Sequence, residues 1–126
     1  MIKLMRDLPD NVLGVLTIGK ITGADYETIL IPALEEKLKT NAKIRMLYHI
    51  GNDFAGFELS AIWDDAKLGI KHLSEWERIA LVSDHETINS FMKFFRHLIT
   101  CQIRIYKDDE LDKAKAWVTD FGAVIH

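Results

Sequence analysis

The sequence predicts an α/β fold in one domain spanning residues 1–126, with a mixed, mostly parallel sheet of about five strands and about four helices. Three observations lead there. The chain opens with two short apolar stretches around a turn-forming cluster. Helical and strand periodicities then alternate to the end, on a helix. The connections are short enough to imply right-handed parallel crossovers. There is no internal repeat, low-complexity tract or linker.

Taken in order, Ile2 to Met5 and Val12 to Ile21 flank Leu8-Pro9-Asp10-Asn11, which predicts a hairpin. In TGADYETILIPALEEKLKT, Thr22 and Asp25 have capping-box spacing, and Tyr26, Leu30, Leu34 and Leu38 recur every four residues down one face. Pro32 removes the amide bond back to Thr28, so this first helix should kink or start late there. Lys43 to Ile50, nearly continuous in apolar character from Met46, suits a central strand covered on both faces. A second helix follows the loop Gly51 to Ser60, with Leu59, Ile62, Trp63, Ala66, Ile70 and Leu73 on one stripe. Trp76 to Val82 is the next strand. Ser83 and Glu86 then have the spacing that starts a third helix, with Ile88, Phe91, Met92, Phe95, Leu98 and Ile99 inward. Gln102 to Lys107 is the last strand. The fourth helix runs from about Asp109, with Leu111, Ala114, Val118 and Phe121 at core spacing and Gly122 placed as its cap.

Composition narrows the function. With 126 residues, 48% hydrophobic and 28% charged, one core suffices without a disulfide or metal staple. Cys101 is the single cysteine, which suits a reducing compartment and excludes an internal disulfide. No apolar run approaches the ~20 residues of a membrane span, and MIKLMRDLPDN is not a signal peptide, so the expected location is cytoplasmic. A net charge of -3 and pI near 5.9 argue against non-specific nucleic-acid binding.

No catalytic or cofactor motif emerges. Asp64 and Asp65 are adjacent on a helix and point about 100° apart, so they suit solvent better than shared acid-base work. Asp84, His85 and Glu86 diverge at a helix start, where acids are favoured by the dipole, and do not make a metal site. Gly14, Gly19 and Gly23 do not have dinucleotide-binding spacing. Cys101 lacks an activating partner. Two features carry more. His49 ends the central strand, where open α/β sheets bind ligands, and Phe54 and Phe57 lie just beyond it. In FMKFFRHLI, Phe94 lies at the edge of the core stripe while Lys93, Arg96 and His97 take the outer face, a pattern suited to peripheral membrane contact.

The element order, the Asp25-Tyr26 helix start, Ile31-Pro32-Ala33-Leu34 and the strand, loop and helix around Gly51 to Trp63 resemble the SpoIIAA-like family. That family has the STAS fold of anti-sigma-factor antagonists, a fold related to CRAL-TRIO lipid carriers. In the antagonists the loop after the central strand reads approximately Asp-Ser-Ser-Gly-Leu, and a serine at the helix start is phosphorylated. Here Asp53-Phe54-Ala55-Gly56-Phe57 stands in its place, without hydroxyls, and Ser60 lies about a turn inside the helix. The resemblance implies a binding module without catalysis, metal or cofactor, its charge switch replaced by hydrophobic contact. The ligand is expected to be hydrophobic or amphipathic, lipid-like, held by His49, Asp53, Phe54, Phe57 and Trp63, with Gly51 and Gly56 as hinges of a lid. Lys93, Phe94, Arg96 and His97 are the expected membrane contact. The alternative is a protein-interaction module of bacterial signalling that uses the same surface. An enzyme built on His49 or Asp53 comes third, and a second copy of the chain is a candidate partner.

Overall fold

The computed structural model describes residues 1–58, 73–97 and 101–121, with the side chains of Leu73 and Phe95 outside that description. The sequence-predicted second helix with Trp63, the inward positions Leu98 and Ile99, and the cap Gly122 all lie outside the described residues.

Five strands form one sheet: β1 (Ile2–Leu4), β2 (Val12–Thr17), β4 (Ile44–Ile50), β6 (Trp76–Val82) and β7 (Gln102–Tyr106), in the spatial order β1-β2-β4-β6-β7. β1 and β2 pair antiparallel, and every other neighbour pairs parallel, so β4 is central as its apolar run predicts. The opening hairpin closes through a tight crossing at Gly14. A Cβ there would come within 2.5 Å of Leu8 Cδ1 and 2.7 Å of Met5 Cβ, so only glycine lets the connection lie flat on β2.

Alternation along the strands divides the interior into two layers. Ile44, Met46, Tyr48 and Ile50 of β4 join Tyr26, Leu30 and Leu34 of the first helix. On the other face Leu47, Ala80 and Val82 meet Ala114, Trp117 and Val118 of the last helix. Tyr26 and Tyr48 share a hydroxyl hydrogen bond of 2.8 Å across the first layer.

The first helix forms in three pieces: α1 (Gly23–Asp25), a π turn (Tyr26–Leu30) and α2 (Ile31–Leu38). The predicted capping box is present, with the Asp25 amide donating to Thr22 Oγ1 at 3.2 Å and the Thr22 amide to Asp25 Oδ2 at 2.8 Å. Pro32 explains the π turn. It offers no amide to the Thr28 carbonyl, and one extra residue in the turn relieves the crowding at its ring. The Ile31 amide accordingly bonds Tyr26 O, five residues back.

Helix α3 (Glu86–Phe95) begins later than the Ser83 cap predicts. Ser83 still belongs to the sheet edge: its amide donates to Tyr106 O at 2.9 Å, its Oγ accepts from the His85 amide at 3.0 Å, and it is buried. His85 takes the cap position without a side-chain cap. Helix α4 (Leu111–Val118) follows a 3₁₀ turn over Asp108–Glu110. Phe121 is not inward as its spacing predicts but 45% exposed, because the helix ends at Val118 and the period no longer applies. Trp117, which the periodicity overlooked, is buried instead.

Candidate functional site

The carboxyl edge of the parallel strands collects the chemistry. β4 leaves the sheet at Gly51, where a Cβ would stand 3.0 Å from Thr17 O and 3.2 Å from Asp53 Oδ1. The chain turns there, with the Phe54 amide donating to Gly51 O at 3.1 Å. It then pairs with the segment after β2: β5 (Gly56–Phe57) runs parallel to β3 (Lys20–Ile21) as a second, two-stranded sheet. The Ala55 amide donates to Gly19 O at 2.8 Å and the Glu58 amide to Ile21 O at 2.7 Å, outside that pair. This pairing was not legible in the sequence, because two residues are too few to show a period. It gives the loop a backbone frame, with Gly56 at φ +112 where L side chains are strained.

Within this frame Phe54 and Phe57 are half-buried against the first core layer, with ring centroids 4.9 Å apart and planes at 60°, an edge-to-face pair. Phe54 also meets the His85 ring edge-on, at 5.2 Å. Asp53 is exposed at the turn. His49 belongs to the opposite sheet face, since Tyr48 and Ile50 on either side of it point into the first layer. The expected ligand set is therefore divided: Phe54 and Phe57 sit together, His49 lies across the sheet, and Trp63 is outside the described residues.

His49 has a partner that sequence reasoning missed. Its Nε2 lies 3.7 Å from Asp108 Oδ1, at the start of the 3₁₀ turn after β7. Asp108 Oδ1 is buried and accepts no hydrogen bond. The Asp108 amide donates to Asp84 Oδ1 at 3.2 Å, which brings a second carboxylate beside it. Burial pushes the Asp108 carboxyl above the ordinary carboxylate range and the nearby Asp84 charge adds to this, while His49 and His85 pull the other way. The rule that singled out His49, a position at the carboxyl end of a parallel strand, would also have found Asp108.

The membrane set lies on α3, where Lys93, Phe94, Arg96 and His97 are all exposed. Phe94 is 66% exposed, farther out than the edge of the core stripe. Phe91, expected inward, is 64% exposed. Ile88 and Met92 carry the contact with the core, and a helix turns about 100° per residue, so Phe91 points about 80° away from their midline.

A family model described as SpoIIAA-like matches residues 12–119, from the first strand of the parallel pairing to just past the last helix. The chain belongs to the SpoIIAA-like family. An uncharacterised DUF3478-family protein with a SpoIIAA-like fold from Shewanella loihica PV-4 is similar to this SpoIIAA-like chain at 28% identity and TM-score 0.74, over 94% of this chain and 92% of that one. The unphosphorylated anti-sigma factor antagonist SpoIIAA shares the fold at TM-score 0.56 and 8% identity, over 90% of this chain and 96% of that one. No curated protein matches the sequence. The SpoIIAA-like chain thus shares its α/β fold with both structures. Among its described residues no group of three or more His, Cys, Asp or Glu is placed to hold a metal, and no helix is long and apolar enough to cross a membrane.

Proposed function

We propose that this SpoIIAA-like protein is a docking module for a partner protein, presenting the exposed face of α3 with the neighbouring Gly51–Phe57 loop. The exposure of Phe91 and Phe94, one turn apart on one side of α3 at 64% and 66%, carries this reading. Covering a phenylalanine contributes roughly 2 kcal/mol, so a partner that buries both gains a large part of a micromolar affinity. His97 follows Phe94 on the same side, while Lys93 and Arg96 turn about 100° or more from both rings, so the matching surface is apolar where it meets the pair. The shared fold with an anti-sigma factor antagonist supports recognition of a protein. Asp53 to Phe57 carry no hydroxyl, so recognition here works without a phosphorylation switch in that loop.

A second reading rests on the half-buried Phe54–Phe57 pair, which suits a lipid-like ligand with Asp53 exposed at the same turn. In that reading Lys93, Phe94, Arg96 and His97 rest on an anionic membrane surface. A second copy of the chain is an alternative cover for the same aromatics.

One pair of proteins separates these readings: the wild type and Phe91→Ser/Phe94→Ser. A partner retained natively by the wild type, and bound again when both components are purified, should be lost by the double variant. If no such binding can be reconstituted and the wild type alone sediments with phosphatidylserine vesicles at low salt, the membrane reading replaces docking. Lipid seen by native mass spectrometry and lost in Phe54→Ser/Phe57→Ser marks the ligand reading.

A further inference from the structure

We propose that His49, His85, Asp84 and Asp108 form a proton-operated clasp that ties the Phe54 loop to the carboxyl edge of the sheet when the histidines are charged and loosens it when they are neutral. The clasp adds regulation to the edge from which α3 starts, and it stands whether or not a partner docks there. Four separate segments converge on it. β4 contributes His49, the turn after β6 contributes Asp84 and His85, the turn after β7 contributes Asp108, and the loop after β4 contributes Phe54. None of the four titratable groups belongs to the apolar cluster that packs α4 on the sheet.

The geometry is that of an interaction left incomplete. Asp108 Oδ1 is shut off from solvent and accepts no hydrogen bond, which is costly for an ionised carboxylate. His49 Nε2 stands 3.7 Å from it, inside ion-pair range and just outside hydrogen-bond range. Protonation of the ring places an N–H on both nitrogens, so Nε2 becomes a donor with a positive charge, and a shift of less than one ångström completes the bond. Asp84 is tied to the same turn through the Asp108 amide, so with neutral imidazoles its negative charge opposes that of Asp108. Asp109 adds a further negative charge from the same turn.

His85 connects this charge balance to the loop. Its field acts on Asp108, and its ring meets the Phe54 ring edge-on at 5.2 Å. A neutral imidazole makes an ordinary aromatic contact there. A charged one is attracted by the Asp108 carboxylate, and any movement toward it is passed to the Phe54 ring that it touches. Protonation therefore couples the charge at Asp108 to the position of the Phe54 ring through His85. His49 tethers the same carboxylate to the end of the central strand.

An NMR titration of the full chain between about pH 8 and pH 5 tests this. The backbone amides of Phe54 and Phe57 should shift together with the His49 and His85 ring signals. In His85→Gln the Phe54 response should disappear, and in Asp108→Asn it should weaken while the spectrum stays that of a folded protein. A Phe54 amide that does not move across the histidine range in the wild type overturns the clasp. So does a response that persists undiminished in His85→Gln. His85 is only half-buried and caps α3 without a side-chain bond, so this variant keeps the test open even if His49→Gln fails to fold.

Discussion

Arg45 and His49 lie four residues apart on the same face of the same strand, yet one is fully partnered and the other is not. Arg45 is 6% exposed, and its charge is answered from every direction. Its Nε donates to Glu77 Oε1 and its Nη1 donates to Val118 O and Asp120 O at 3.1 and 2.6 Å, while the Phe121 ring lies 4.2 Å from its guanidinium carbon. Arg78, its cross-strand neighbour, adds a bond of 2.7 Å to Trp117 O and stacks on the Trp117 ring. Together the two arginines collect carbonyls that end α4, where positive charge is favoured. At the carboxyl end of the sheet, by contrast, His49 faces a carboxylate oxygen that has no donor. A saturated charge network holds an element in one position. An unsaturated one leaves a group ready to respond, and such groups collect at functional sites.

Breaking the saturated end should have the largest effect. Arg45→Ala leaves Glu77 without its cation and the end of α4 with Arg78 alone, and should cost about 3 kcal/mol in urea unfolding, with α4 the first segment to lose protection in hydrogen exchange. An unchanged midpoint would mean that the arginine clamp is decorative. Next comes the loop frame: Gly56→Ala at φ +112 should cost about 1 to 2 kcal/mol, and its effect should appear as faster amide exchange at Ala55 and Glu58.

Asp108→Asn has the opposite sign. The folded-state carboxyl is raised above its unfolded value, so its ionised form destabilises the fold once the pH exceeds the folded value, and the penalty is absent below the unfolded one. The variant should therefore be more stable than the wild type at neutral pH, by up to about 1 kcal/mol, and that advantage should shrink as the pH falls toward 4. Equal stability at all pH values would show that solvent already satisfies Asp108. Smallest in stability is Phe91→Ser/Phe94→Ser, expected to change unfolding by no more than about 0.5 kcal/mol because neither ring is buried, while abolishing partner binding.

The two ends also differ in how they could be read from the residues. Apolar runs bounded by turn residues located the five strands of the main sheet, and four-residue periodicity located the first helix, because each buries apolar side chains that are close in sequence. It placed Phe91 and Phe121 inward, because a helix that touches the sheet on a narrow stripe, or that has already ended, no longer obeys the pattern. Of the site, the Phe54–Phe57 pair was legible from local order alone, whereas the β3–β5 pairing and the His49–Asp108 pair join residues far apart in the chain.

The sequence by itself determined the fold class, the central strand, the capping box at Thr22 and Asp25, and the loss of hydroxyls from the loop, since each depends on neighbours within a few residues. Tertiary structure alone decided which charges meet. It placed Arg45 against the end of α4 and His49 against Asp108, because ion pairing depends on distance and burial, and the register of a parallel sheet sets both across segments that share no local signal.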